Sequence, residues 1–218
     1  MKKCFSLVII SILFLSLGSC TDTTSRATGV YMLLDSSGTY TQELKHAQVI
    51  INYLLGTLQS GDSLGIAKID SASFSEKDII AKMTFDKRPS VTNKQKRLFK
   101  QQVDTYLASV KKGSAYTDIT GGLLQASEYL HEAGSGKKYI LIFSDLKEDL
   151  KKGHIRDFPI QVPGCEVVAL NVTKLRSDNI DPREYYDRVQ KWEERVTEGG
   201  GEWRVINDLN RLEHLLGS

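Results

Sequence analysis

Short apolar runs alternate with longer stretches of helical periodicity along most of this 218-residue chain. Six such runs are apolar enough to predict strands, and the first, Gly29–Leu34, is nearly continuous in its hydrophobicity, as is typical of a strand covered on both faces of a sheet. We predict these strands at 29–34, 63–69, 79–85, 138–143, 166–172 and 203–206. The segments between consecutive strands differ in length, and the longest, between residues 85 and 138, leaves room for two helices.

Apolar residues between the runs recur at intervals of three and four, which predicts amphipathic helices. We expect these helices around 44–58, 92–110, 119–130, 182–196 and 209–215. Thr92 and Gln95 have the spacing of a capping box, which places a helix start at Thr92. Alternating strands and helices indicate an α/β fold, a Rossmann-like open and mainly parallel sheet with helices on both faces.

Composition and charge narrow the class of protein. Hydrophobic residues make up 40% of the chain and charged residues 26%, as in a globular domain. The net charge is +2, and Lys2 and Lys3 account for it, so the remainder has no broad field for nucleic acid. Four basic residues of one predicted helix are expected to form a solvated face, with contact to anionic lipid headgroups as the alternative. They are Lys94, Lys96, Arg97 and Lys100.

The first 19 residues have the pattern of a lipoprotein signal peptide. A basic start precedes an apolar stretch of about 13 residues, shorter than the roughly 20 that a spanning helix needs. The stretch ends in Leu17-Gly-Ser-Cys20, which resembles the bacterial lipoprotein box. The resemblance implies lipidation of Cys20, a polar tether over 20–28 and one domain over 29–218. An ordinary secretory signal with an incidental cysteine is the alternative.

The lipoprotein resemblance also carries an expectation about localisation. Thr21 rather than Asp follows Cys20, which implies sorting to the outer membrane of a double-membraned bacterium, facing the periplasm. Cys165 is then the only thiol left in the domain, so no internal disulfide is expected. Its apolar surroundings predict a small buried side chain.

Hard oxygen donors occur at the ends of two predicted strands and at the start of one helix. Asp35, Ser37 and Thr39 follow the first strand, Thr117 opens a helix, and Asp145 follows the fourth strand. Ligands of open α/β sheets bind at the carboxyl ends of the strands. Because Mg²⁺ requires oxygen ligands, this pattern indicates a site for Mg²⁺ or Mn²⁺.

The motif Asp-x-Ser-x-Thr, followed by a helix-opening Thr and a strand-end Asp, resembles the metal-ion-dependent adhesion site of von Willebrand factor type A domains. The resemblance extends from Gly29 to Leu216 and implies a six-stranded sheet with one antiparallel strand and with the first and fourth strands adjacent. It assigns the five residues above as metal ligands and Asp118 to a supporting position. Leu146 follows the last aspartate where the family usually has glycine, so the local turn is expected to differ.

The resemblance implies recognition rather than catalysis. Hydroxyl ligands are neutral, and in the family one or both carboxylates reach the ion through water, so the ion keeps a coordination position open to solvent. An Asp or Glu of a protein partner would fill it. We therefore expect a lipid-anchored binding protein that is not an enzyme. The alternatives are an envelope structural or assembly subunit with a vestigial metal site, and a Mg²⁺-dependent phosphohydrolase, for which Ser37 replaces the general-acid aspartate.

Each candidate ligand also has an ordinary structural interpretation. Thr39 could cap the first helix, and Asp35 with Ser37 could form an Asx turn. Thr117 or Asp118 could be a helix N-cap. The functional interpretation depends on all of them meeting at one point.

Overall fold

The computed structural model describes residues 26–37, 43–70, 73–110, 113–175 and 177–216. The proposed signal peptide, Cys20 and Thr39 lie outside these residues, and so does most of the tether. The strands are β1 (Thr28–Asp35), β2 (Ser63–Ile69), β3 (Ile79–Thr84), β4 (Lys137–Phe143), β5 (Glu166–Leu170) and β6 (Glu202–Ile206). The helices are α1 (Leu44–Thr57), α2 (Pro89–Ser109), α3 (Ile119–Glu132), α4 (Arg183–Glu198) and α5 (Leu209–Leu216).

All six predicted strands are present, and their boundaries differ from the prediction by only a few residues. The largest difference is at β5, which ends at Leu170 rather than at residue 172. The next residue, Asn171, has a φ of 52°, a left-handed conformation that cannot continue a strand.

The predicted start of α2 is wrong. The helix begins at Pro89, three residues before Thr92, and Arg88 is its N-cap. Proline is favoured in the first turn because its missing N–H has no partner there in any case. Gln95 instead accepts a hydrogen bond from the Asp86 amide at 2.8 Å, so it ties the helix to the preceding turn.

The strand order is β3-β2-β1-β4-β5-β6, and only β3 runs antiparallel to its neighbour. This confirms the predicted Rossmann-like sheet. The chain moves outward from β1 to β2 and β3, then crosses back to β4 on the other side of β1. The boundary between β1 and β4 is therefore the topological switch point, where sheets of this kind bind ligands.

Alternate residues of β1 enter two separate cores. Val30, Met32 and Leu34 pack with α1, α2 and α5 in the first core, on one face of the sheet. Tyr31 and Leu33 pack with α3 and α4 in the second core, on the other face. These five side chains are fully buried, as a strand at the centre of a doubly covered sheet requires. Cys165 is 1% exposed in the second core and has a free thiol, which confirms its predicted burial.

The parallel strands give the sheet two distinct edges. Their carboxyl ends, including Asp35 and Phe143, lie at one edge, and their amino ends lie at the other. Since β1 has eight residues, the two edges are about 26 Å apart. In the part of the chain that the structure describes, no helix has the length and apolarity to cross a membrane.

Candidate metal centre

Asp35 is the last residue of β1, and its side chain is 0% exposed. One carboxylate oxygen accepts a hydrogen bond from the Ser37 amide at 2.8 Å, and the other accepts one from the Ser144 hydroxyl at 2.6 Å. The first contact is an Asx turn, so the ordinary structural interpretation of this pair is correct as far as it goes. Ser144 follows β4 directly, and its contact ties the two central strands together above the sheet.

Asp145 follows Ser144 and is 4% exposed. Its carboxylate accepts a hydrogen bond from the Lys147 amide at 2.9 Å, and its backbone carbonyl accepts one from Arg188 Nε at 2.9 Å. These contacts hold the aspartate at the carboxyl edge instead of letting it turn outward as a solvated strand-end residue.

Leu146 occupies the position at which the family usually has glycine, and its φ is 65°. This is a left-handed conformation, which is unfavourable for leucine. The side chain is 1% exposed within the second core, and its carbonyl accepts a hydrogen bond from Trp192 Nε1 at 2.9 Å. Burial of an apolar side chain offsets the backbone strain.

Thr117 lies in the loop before α3 and is 4% exposed. Its amide donates to the Asp149 carbonyl at 2.8 Å, and the Asp149 amide donates back at 2.9 Å. This antiparallel bridge fastens the Thr117 loop to the segment that follows β4. Ser37 makes a corresponding parallel bridge to Ser114, which fastens it to the other end of the same loop.

These contacts bring three predicted ligands to one cleft at the carboxyl edge. The cleft has a volume of about 310 Å³. It is lined by Ser37, Ser114, Ala115, Thr117, Asp145, Lys147, Asp149 and Leu175. Asp35 does not line the cleft but binds the amide of Ser37 from beneath it. Thr39 lies outside the described residues, so its position relative to the cleft remains a prediction.

Burial raises the pKa of both Asp35 and Asp145 above the ordinary aspartate value. For Asp35 the hydrogen bonds from Ser144 and Ser37 oppose this effect, since they stabilise the ionised form. For Asp145 the negative charge of Asp35 raises the pKa further, while the Lys147 amide and the charge of Arg188 lower it. Two desolvated carboxylates that repel one another would be stabilised by a cation placed between them.

The chemistry of the donors fits a hard divalent ion rather than zinc. Ser37 and Thr117 offer hydroxyl oxygens beside the carboxylate of Asp145, and oxygen ligands are those that Mg²⁺ prefers. Across the described ranges, no three or more His, Cys, Asp or Glu side chains are grouped so that they could hold a metal. A cation in this cleft therefore depends on the hydroxyls as well as on the carboxylates.

Asp118 has a different role from the other candidates. Its side chain is 0% exposed and caps α3, since one carboxylate oxygen accepts from the Gly121 amide at 2.8 Å. Arg156 pairs with both oxygens of this carboxylate, at 2.8 and 3.2 Å, and its Nη2 also donates to the Ser73 carbonyl at 3.1 Å. Asp118 is thus absent from the cleft lining, and the helix-cap interpretation is correct for this residue but not for Thr117.

Three residues of this region were not singled out by the sequence. Ser144 could have been found, because the adjacency of β1 and β4 places it next to Asp35. Arg156 could not, since it lies in a segment without periodicity and its partner is 38 residues away. Ser114 donates its hydroxyl to the Tyr116 carbonyl at 2.8 Å, and nothing in the sequence marks it.

Comparison with known proteins supports the fold through structure alone. No family model matches the sequence, and no curated protein matches it. A von Willebrand factor type A structure from Catenulispora acidiphila has a TM-score of 0.56 at 13% identity, over 88% of this chain and 41% of that one. This chain thus spans less than half of that protein's chain.

Two other similar structures come from Bacteroides species. An aerotolerance-related membrane protein from Bacteroides fragilis has a TM-score of 0.45 at 13% identity, covering 88% of this chain and 97% of that one. BatB from Bacteroides thetaiotaomicron, a conserved hypothetical protein, has a TM-score of 0.47 at 15% identity, covering 88% and 96%. The six-stranded sheet with its single antiparallel strand, together with the similarity to the Catenulispora structure, shows that this chain has a von Willebrand factor type A-like fold.

Proposed function

We propose that this domain captures an acidic residue of a protein partner through a divalent cation, Mg²⁺ or Mn²⁺. Asp35, Ser37, Thr39, Thr117 and Asp145 would hold the ion. The observation that carries the proposal is the convergence of Ser37, Thr117 and Asp145, which come from three separate segments, on one cleft at the β1–β4 boundary.

The charges around the cleft support the same proposal. A bound cation would supply positive charge next to two carboxylates whose ionised forms are disfavoured by burial. Hydroxyl ligands add no negative charge, so the ion would keep part of its charge for a ligand from outside. Asp149 and Lys147 line the same cleft. Their charges would attract or repel charged side chains that flank the acidic residue of the partner.

A general acid or base would have to be paired with a nucleophile in this cleft to support catalysis. The cleft is lined by three hydroxyl side chains, one lysine and two aspartates, together with Ala115 and Leu175, and one oxygen of Asp145 already accepts from the Lys147 amide. We therefore propose binding rather than hydrolysis. No release of phosphate from a generic ester is expected with Mg²⁺, and robust turnover would make the phosphohydrolase interpretation correct.

The proposed lipid anchor at Cys20 suits the orientation of this site. The tether joins the domain at Thr28, the amino end of β1, whereas the cleft lies at the carboxyl end of the same strand. A domain anchored through Cys20 would present the cleft away from the membrane. We propose the outer membrane, with the domain facing the periplasm, as its location.

The test is a pull-down from envelope extract with three baits: wild type, Asp35→Ala and Asp157→Asn. Asp157 is an exposed carboxylate outside the cleft and serves as the matched control. A partner should be retained by wild type and by Asp157→Asn in Mg²⁺, and lost with EDTA or with Asp35→Ala. A purified partner should lose binding when one of its Asp or Glu residues is changed to the amide.

Equal recovery of every protein by all three baits would contradict metal-dependent capture. If wild type also showed no thermal shift with Mg²⁺ or Mn²⁺, the domain would be a structural or assembly subunit with a vestigial metal site. The thermal shift reports binding of the metal, and the pull-down reports binding of the partner, so the two losses can be distinguished.

A further inference from the structure

The sheet edge opposite the cleft is where the tether joins the described domain. The Thr28 amide donates to the Asp62 carboxylate at 2.7 Å, and the Ala27 carbonyl accepts from the Gly136 amide at 2.9 Å. The root of the tether is therefore held between the turn that precedes β2 and the turn that precedes β4.

The turn between β3 and α2 lies at the same edge. Because β3 is antiparallel, its last residue, Thr84, pairs with Ser63 at the start of β2. The Phe85 carbonyl then accepts a hydrogen bond from the Gly61 amide at 3.0 Å. The first turns of α2 consequently stand beside the tether root.

Five basic residues are exposed around this root, and we call them the tether-side surface. They are Arg26, Lys87, Arg88, Lys94 and Lys137. Lys94 lies five residues into α2, about 8 Å along the helix from its start. That distance is within a Debye length of about 10 Å, so its charge acts together with the others at moderate salt.

The acidic residues in the described turns beside the tether root (58–62, 85–88 and 132–137) do not cancel the positive charge there. Asp62 is 8% exposed, and its carboxylate is occupied by the amides of Thr28 and Gln59. Asp86 pairs with Arg88 at 2.9 Å, and Glu132 is exposed at the end of α3. Around the root, five positive charges stand against these three negative ones. The starts of β5 and β6 and the end of α4, at the same edge, add Glu166, Glu202 and Glu198, so the positive charge is confined to the part of the edge formed by β3, β2, β1 and β4.

The four basic residues that the sequence grouped on one helix are not equivalent. Lys96 donates to the Leu58 carbonyl and lies 5.7 Å from the centre of the Phe85 ring. Lys100 pairs with Asp104 at 2.6 Å. These two side chains are held by contacts within the domain, whereas Lys94 is exposed in the first turns of α2 beside the tether root.

We propose that the tether-side surface rests on anionic phospholipid headgroups of the membrane that holds Cys20. This inference depends on the proposed lipid anchor and not on the metal site. From Cys20 to Arg26 the chain can extend about 22 Å at most, so the surface never leaves the vicinity of the bilayer. Tethering raises the effective concentration of the headgroups, and each basic residue near an anionic membrane adds to the attraction. The domain would then stand upright, with its cleft outward.

The experiment uses the full chain, expressed in a host that lipidates it and reconstituted into vesicles with dansyl-labelled lipid. Trp203, at the amino end of β6, lies at the same sheet edge and serves as the energy donor. Energy transfer should be greater in vesicles with 30% phosphatidylglycerol than in pure phosphatidylcholine. High salt should abolish the difference. A variant with Lys87, Lys94 and Lys137 all changed to Gln should show, in both kinds of vesicle, the energy transfer that wild type shows in pure phosphatidylcholine. Three such charges change the equilibrium between the headgroup-bound and the free surface on the order of a hundredfold.

The matched control removes three exposed lysines elsewhere, Lys45, Lys151 and Lys152. It has the same net charge as the first triple variant and should retain the lipid dependence. Equal transfer in the two lipids for wild type, or equal loss in both triple variants, would overturn the proposal. Intact mass of wild type tests the premise separately: absence of lipid on Cys20 refutes the anchor, whereas lipidation without lipid-dependent transfer refutes only the surface. The salt dependence of wild type tests the proposal even if a triple variant folds poorly.

Discussion

Replacing Asp35 with asparagine should separate the stability of the fold from the stability that a bound cation adds. The carboxylate is fully buried and accepts two hydrogen bonds, from the Ser37 amide and the Ser144 hydroxyl. Burial raises its pKa, so the ionised form is less favourable in the folded chain than in the unfolded one. Above the ordinary aspartate pKa, this group therefore costs folding free energy, and the full cost is reached above the folded-state pKa.

Asparagine removes that cost but disturbs one hydrogen bond. Its amide oxygen can still accept from Ser37, whereas its NH₂ group would face Ser144, whose hydroxyl now donates to Asp35. The Ser144 oxygen also accepts from the Leu146 amide at 3.1 Å. If this oxygen also accepted from the new side-chain NH₂ group, the hydroxyl hydrogen would turn away from position 35 and lose its acceptor, at a cost of about 1 kcal/mol. Because the two effects oppose each other, we expect the free energy of unfolding of the metal-free variant to lie within about 1 kcal/mol of that of metal-free wild type.

Mg²⁺ should act very differently on the two proteins. A ligand that binds only the folded state at one hundred times its Kd stabilises it by about 2.7 kcal/mol. For a domain of this size, that corresponds to a rise of about 5 to 11 °C in Tm. Wild type and Asp157→Asn should show this rise, and Asp35→Asn should not.

The assay is thermal unfolding followed by circular dichroism at pH 7, in EDTA and then across a Mg²⁺ series. A rise in the Tm of Asp35→Asn equal to that of wild type would refute the assignment of Asp35 as a ligand. If metal-free Asp35→Asn were less stable than metal-free wild type by several kcal/mol, the ionised carboxylate itself would stabilise the fold, and burial would not be its dominant effect.

Three further substitutions test other contacts. Leu146→Gly should relieve about 1 to 2 kcal/mol of left-handed strain but lose about 2 to 5 kcal/mol of buried leucine, so net destabilisation is expected in urea unfolding. Arg156→Ala leaves the fully buried Asp118 without its cation and should cost about 3 to 5 kcal/mol, measured in the same way. Arg188 holds the pKa of Asp178 below its ordinary value, so their pairing stabilises the fold above the ordinary aspartate pKa. That contribution is lost as pH falls through the folded-state pKa, and Arg188→Gln should flatten this part of the stability–pH curve.

Each of these expectations has a control. Leu146→Ala keeps the strain while it shortens the side chain, so it should be less stable than wild type by the cavity cost. Arg183→Ala removes the exposed partner of Asp181 and should change stability by less than about 1 kcal/mol. If that exposed pair cost as much as the Arg156 pair, burial would not be the reason for the Arg156 effect. An unchanged pH dependence in Arg188→Gln would contradict the role given to Asp178.

Most of the fold could be predicted from local pattern. Strands at the centre of this sheet are hydrophobic throughout, because both faces are covered, and such runs are visible without any tertiary information. Boundaries were less predictable, since a single backbone angle at Asn171 or one proline at Pro89 decides where an element ends or begins. The candidate ligands were identified because the donors follow strand ends, which the hydrophobic pattern locates.

The contacts that position these donors were beyond the reach of sequence reasoning. The Thr117–Asp149 bridge and the Arg156–Asp118 ion pair join segments that are 32 and 38 residues apart, and no periodicity connects them. Their formation depends on where the irregular segment after β4 lies on the sheet.

By itself, the sequence determined the α/β class, the number of strands and the oxygen chemistry of the candidate site, because hydrophobic period and residue type are local properties. The tertiary structure decided that Asp35 is buried beneath the cleft rather than lining it, and that Asp118 caps a helix. It also decided that Thr28, where β1 begins, and the cleft lie at opposite edges of the sheet. Burial, pairing and orientation depend on which distant segments come into contact, and only the folded chain contains that information.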